Sequence, residues 1–129
     1  GDLLCLSGDL GVGKSTFARA FICARGRRMG VQVGDVPSPT FTLAQLYELP
    51  DGNIWHFDLF RLENADEATE LGIDDAIRDG ICLVEWPDRL PELQLASRLD
   101  LSFEFGDLQN ERRLTMFWHE DWRDRRPRL

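Results

Sequence analysis

GDLGVGKST occupies residues 8–16. Gly8, Gly13, Lys14 and Ser15 match G-x-x-x-x-G-K-[ST], the pattern of a phosphate-cradling P-loop. Glycines let backbone N–H groups converge on phosphate oxygens with no Cβ in between. The helix that follows directs its positive N-terminal end at the same oxygens. Lys14 is placed to reach the β and γ phosphates, and the Ser15 hydroxyl to bind Mg²⁺. Gly8, Asp9, Gly11, Val12, Gly13, Lys14, Ser15 and Thr16 are therefore the expected nucleotide-binding set.

The flanks have the context that the loop needs. LLCLS, residues 3–7, is an apolar run of strand length. STFARAFICARG, residues 15–26, reads as a helix with Phe17, Ala18, Phe21 and Ile22 on one side, ending near Gly26. The chain holds fifteen lysines and arginines, and Lys14 is the only lysine. The loop requires a compact ammonium there, which a planar guanidinium does not replace.

At 129 residues and 43% hydrophobic content, the chain is read as one domain with a real core. No apolar run approaches the roughly 20 residues needed to span a bilayer. Cys5, Cys23 and Cys82 lie in apolar settings, and an odd count argues against a disulfide framework and for a reducing cytoplasm. Net charge is −8, and residues 63–79 carry seven acids against one arginine. Such a face repels phosphate backbones, so strong direct nucleic-acid binding by the body of the domain is disfavoured. The end differs: four arginines fall within residues 123–128. Residues 119–129 are expected to form a flexible tail.

After the first helix, residues 30–45 form a loop region punctuated by Gly30, Gly34, Pro37 and Pro39. Two apolar stretches, FTLAQLYEL and IWHFDLF, flank PDGN and predict a hairpin. Residues 65–78 predict one helix with Ala68, Leu71, Ala76 and Ile77 facing in. ICLVEW, residues 81–86, predicts a buried strand closed by Pro87. LDLSFEF alternates, with Leu99, Leu101, Phe103 and Phe105 on one face, and RRLTMFW is positioned to pair with it. The simplest architecture is α/β: a mixed P-loop NTPase-like sheet, parallel near the P-loop, with antiparallel hairpins and flanking helices.

Hydrolysis or transfer needs a carboxylate near Mg²⁺ and a group that positions the nucleophile. Glu85 ends the apolar run ICLV, as a Walker B strand would present its acid. Asp58 follows IWHF and is the second candidate. The loop SPTFT, residues 38–42, offers the hydroxyls of Ser38, Thr40 and Thr42 toward a γ-phosphate or its metal, with Ser38 and Thr40 as the switch residues. His56 reads as a packed or half-exposed residue on an alternating strand, and His119 carries no signal.

Five blocks stand here in order: GDLGVGKST, VPSPTFTL, WHFDLFRL, ELGIDDAI and ICLVEWPDRL. Together they resemble the bacterial P-loop ATPase family of tRNA threonylcarbamoyladenosine biosynthesis, the TsaE family, from residue 1 to about residue 90. The resemblance implies binding of ATP and Mg²⁺. It implies work beside a sugar-kinase-like threonylcarbamoyl transferase subunit and that subunit's inactive paralogue, with tRNA met indirectly through them. Lys14 and Ser15 are implied as phosphate and Mg²⁺ ligands, Glu85 as the second metal-side carboxylate, and Asp58 as the acid linked to hydrolysis. Thr40 belongs to the nucleotide-sensing loop, Trp86 lies beside the site, and Arg112 in NERRL is implied as a nucleotide contact. Family members usually carry a further segment before the P-loop strand, and the arginine-rich end matches no family feature.

Three functions remain open on these residues. An ATPase serving a tRNA-modifying complex fits the acidic body. A small-molecule kinase would need an acceptor pocket and a lid, and the chain is short for both. A nucleotide-sensing adaptor would bind ATP with negligible turnover, which Asp58 and Glu85 argue against. A GTPase is disfavoured, because the guanine-reading [NT]-K-x-D box needs a lysine other than Lys14.

Overall fold

The computed structural model describes residues 2–34, 36, 39, 42–95, 97–119 and 122. Ser38, Thr40 and residues 123–129 lie outside the described residues. The elements run β1 (Asp2–Gly8), α1 (Lys14–Arg28), β2 (Ala44–Leu49), β3 (Gly52–Asp58), α2 (Ala65–Glu70), α3 (Ile73–Asp79), β4 (Ile81–Glu85), β5 (Leu99–Phe105) and β6 (Arg112–Trp118). Two short 3-10 turns, Pro87–Arg89 and Pro91–Leu95, join β4 to β5.

The strands form one sheet in the order β2-β3-β4-β1-β5-β6. The β1 strand pairs in parallel with β4 and β5, and β3 pairs in parallel with β4. The outer pairs β2–β3 and β5–β6 are antiparallel. This is the mixed α/β sheet expected from the sequence.

Alternation along the inner strands builds two apolar layers. Leu3 and Cys5 of β1 join Phe57, Cys82 and Val84 beneath α2 and α3, which contribute Ala68, Ile73 and Ala76. Leu4 and Leu6 join Ile54, Leu83 and Leu101 on the opposite face, where Ala18 and Ile22 of α1 close the layer. Both faces of β1 and β4 are covered, which is why these strands read as unbroken apolar runs.

Four expectations need correction. The single helix over residues 65–78 is two, because Gly72 takes φ 75° and starts a new helix. An L side chain is strained in that conformation, so the left-handed turn falls on a glycine. An Asn64–Glu67 capping box fixes the start of α2. The first helix runs on past Gly26 to Arg28. Gly26 serves there as a point of close approach: its carbonyl accepts from Val31 N–H at 2.8 Å, and a Cβ would lie 2.5 Å from Val33 Cγ2. The strand expected to reach Trp86 ends at Glu85, since Trp86 turns at φ 58°. Phe105 is 50% exposed rather than inward, and Arg112 lies over its ring at 4.6 Å.

Within the segment expected to be a tail, Trp122 is buried and its ring lies 6.3 Å from that of Trp118. His119 Nε2 lies 3.1 Å from Asp100 Oδ2.

Candidate functional site

The C-terminal ends of β1, β3 and β4 meet the N-terminus of α1 around a cleft of about 410 Å³. Crevices at this edge of parallel strands are where open α/β sheets hold ligands. The first turn of α1 leaves backbone N–H groups without helical partners, and these suit anions. Gly11, Gly13, Lys14, Ser15 and Thr16 line the cleft on the loop side. Asp58, Glu85 and Trp86 line it from the strand ends.

Lys14 is only 4% exposed. Its Nζ donates to the Gly8 carbonyl and, at 3.2 Å, to that of Asp9. It also lies 3.7 Å above the centre of the Trp86 ring. Burial holds the ammonium pKa below the usual lysine value, and the nearby Glu85 and Asp58 carboxylates oppose that shift.

Ser15 Oγ donates to Glu85 Oε1 at 2.8 Å and reaches Oε2 at 3.1 Å. Glu85 is 2% exposed. Its backbone is tied on both sides: Leu59 N–H donates to its carbonyl, and the next residue's N–H donates to Leu6. Asp58 stands opposite Glu85 in the β3–β4 register, and its Oδ1 accepts from Phe60 N–H at 3.0 Å. A hydroxyl and a carboxylate in contact, with a second carboxylate alongside, are the hard oxygen donors that Mg²⁺ takes beside phosphates and water. The residues present therefore fit that ion.

Other expected site residues sit further back. Val12 packs into the core, and Arg112 Nε donates to its carbonyl at 3.2 Å, bracing the loop from behind. The Arg112 guanidinium also reaches the carbonyls of Gln109 and Glu111 at 3.3 and 3.0 Å. Gly8 ends β1 and Asp9 begins the loop. Arg19 of α1, and Phe60 and Arg61 after β3, line the cleft without having been singled out from the sequence.

His56 was the larger omission. It is fully buried, and its Nε2 lies 2.7 Å from Glu85 Oε2. The signal was present in the alternation: Ile54, His56 and Asp58 share one face of β3. That face is the one α1 covers, because Ile54 packs with Ala18 and Ile22.

The family model for "Threonylcarbamoyl adenosine biosynthesis protein TsaE" matches residues 1–114. The tRNA threonylcarbamoyladenosine biosynthesis protein TsaE of Rickettsia typhi is 32% identical over 124 residues, covering 94% of this chain and 80% of that one. The protein of that name from Bacillus subtilis is 39% identical over 113 residues, covering 86% and 67%. The chain belongs to the TsaE family. The crystal structure of Bacillus subtilis YdiB superposes with a TM-score of 0.64 at 32% identity, over 90% of this chain and 67% of that one. Membership in the TsaE family makes this a P-loop-type nucleotide-binding protein and ties it to tRNA threonylcarbamoyladenosine biosynthesis. Among the described residues, no helix is long and apolar enough to cross a membrane.

Proposed function

We propose that this TsaE-family chain binds ATP with Mg²⁺ and hydrolyses it to support a cytoplasmic complex that forms N6-threonylcarbamoyladenosine in tRNA. The observation that carries this reading is the contact of Ser15 with Glu85 at the N-terminus of α1, beside Lys14. Ser15 and Glu85 would hold Mg²⁺, which would supply charge stabilisation to the phosphates. Lys14 exchanges the Gly8 and Asp9 carbonyls for the β and γ phosphates, while the backbone N–H groups of the loop hold the remaining oxygens. Asp58, held by the Phe60 N–H, orients the attacking water. Ser38 and Thr40 sense the γ-phosphate, and Arg112 supports the loop toward nucleotide. The partners are the sugar-kinase-like transferase subunit and its inactive paralogue, which carry the contact with tRNA. A net charge of −8 supports that division of labour.

The test is ATP hydrolysis by the chain with Mg²⁺, measured alone and with the transferase pair and tRNA. Low activity alone that rises with the pair is the expected result. Binding of ATP with no turnover in either condition would replace this reading with that of a nucleotide-sensing adaptor.

A further inference from the structure

One buried polar side chain behind Glu85 has no place yet in phosphate or metal chemistry. His56 is fully buried on β3, and its Nε2 lies 2.7 Å from Glu85 Oε2. Its Nδ1 is buried with no hydrogen-bond partner among the described residues. Together these facts choose the tautomer. An ionised carboxylate only accepts, so Nε2 carries the proton. A proton on Nδ1 would be a buried donor with no partner, whereas one on Nε2 meets the Glu85 carboxylate.

Ser15 Oγ lies nearer Glu85 Oε1, at 2.8 Å, than Oε2, at 3.1 Å, while His56 Nε2 contacts Oε2. The imidazole stands on a neighbouring parallel strand, where its residue pairs with Leu83 and Asp58 pairs with Glu85. Both groups are therefore fixed by the sheet rather than by a loop.

We infer that His56 is a positioning residue, which holds the Glu85 carboxylate through Nε2–H···Oε2 so that Oε1 stays turned to Ser15 and the Mg²⁺ site. This rests on the reading of Glu85 as a metal-side carboxylate. Ligating carboxylates are themselves hydrogen-bonded, and loss of such an outer partner typically costs about 10–100-fold in metal affinity or activity.

The experiment uses Mn²⁺ as the probe, with ADP present, and counts free ion by electron paramagnetic resonance. His56→Phe removes the donor and keeps a ring of similar size. His56→Gln returns an amide N–H close to the Nε2 position. The Phe variant is expected to bind Mn²⁺ about 10-fold more weakly, with ADP affinity in EDTA unchanged. The Gln variant is expected to recover most of that loss. Wild-type Mn²⁺ affinity in His56→Phe, or equal losses in both variants, would overturn the assignment.

A second readout needs no variant of His56 to fold. The ¹⁵N–¹H imidazole spectrum of the wild-type chain, without nucleotide, is expected to show a proton on Nε2. A ring protonated at Nδ1 alone would also overturn it. Failure of the underlying reading has its own signature: the wild-type chain would then take up no Mn²⁺ with ADP. That outcome removes the metal-side role of Glu85 and this assignment with it, whereas a fault confined to the variants removes only the assignment.

Discussion

A carboxylate as deeply enclosed as Glu85 is tolerable only because donors reach it, here the Ser15 hydroxyl and the His56 imidazole. Glu85→Gln keeps the shape of that network and removes the charge. Hydrolysis with Mg²⁺ is expected to fall by more than about 10-fold, the lower scale that outer partners of a metal ligand carry, with metal-free ADP affinity retained. Parallel assays of hydrolysis and of ADP binding in EDTA check this; a full rate would remove Glu85 from the site. The buried thiols give a prediction about pH. Burial, aided by Asp100, pushes the Cys5 thiol up to about 12, and burial pushes Cys82 higher still. Unfolded thiols ionise from about 9, while folded Cys5 keeps its proton to about 12. In that window the unfolded chain binds fewer protons, so this contribution is complete below about 9 and is lost as pH rises toward about 12. Urea unfolding of Cys5→Ala is expected to show a shallower alkaline decline than wild type; identical curves would count against it. Lys14, Ser15, Asp58 and Glu85 were legible because each stands at a loop or strand end in a recognisable pattern. His56 was legible as a packed residue but not as the partner of Glu85, because alternation along one strand does not say which side chain of the next strand it meets.

At the scale of elements, the strands were legible and their ends less so. An apolar run says that a strand is buried, but it does not say where the covering helix stops. Phe105 keeps the alternation of β5 and is still half-exposed, with Arg112 over its ring. Helix periodicity likewise carried residues 65–78 through Gly72, since the apolar spacing continues on both sides of the break. The break itself is a backbone event. Gly72 takes φ 75° in open space, so a Cβ there would meet strain and no neighbour. Gly72→Ala is therefore expected to destabilise the fold by about 1–2 kcal/mol, the cost of a left-handed L residue. Asn, which tolerates that region better, should cost less. Urea midpoints at unchanged slope measure the difference. An Ala variant more stable than wild type would mean that α2 and α3 fuse without harm, and that the turn is not required for packing.

The order of the whole sheet was beyond local reading. Parallel strands near the P-loop and antiparallel outer pairs follow from spacing and turns, but the placement of β1 between β4 and β5 depends on crossovers that no short window encodes. That placement is what makes the cleft a junction. It gathers the loop after β1, the first turn of α1, and the ends of β3 and β4. A ligand there bridges parts of the chain far apart in sequence, so binding should stabilise the molecule as a unit. At about 100 times its dissociation constant, a ligand confined to the native state adds about 2.7 kcal/mol. With an unfolding entropy of roughly 2.1 cal/mol/K per residue, that raises the melting temperature of a chain this size by about 10 °C. Lys14→Ala should lose this shift at the same concentration of Mg²⁺ and ADP. Phe117→Ser is the control: the side chain is 62% exposed on β6, away from the cleft. Its ligand shift should match wild type, whatever the loss of its ring contact with His119 costs the fold. Retention of the full shift in Lys14→Ala would place the nucleotide somewhere other than the P-loop cleft. Loss of the shift in Phe117→Ser would mean that the edge strand and the cleft are coupled through the sheet.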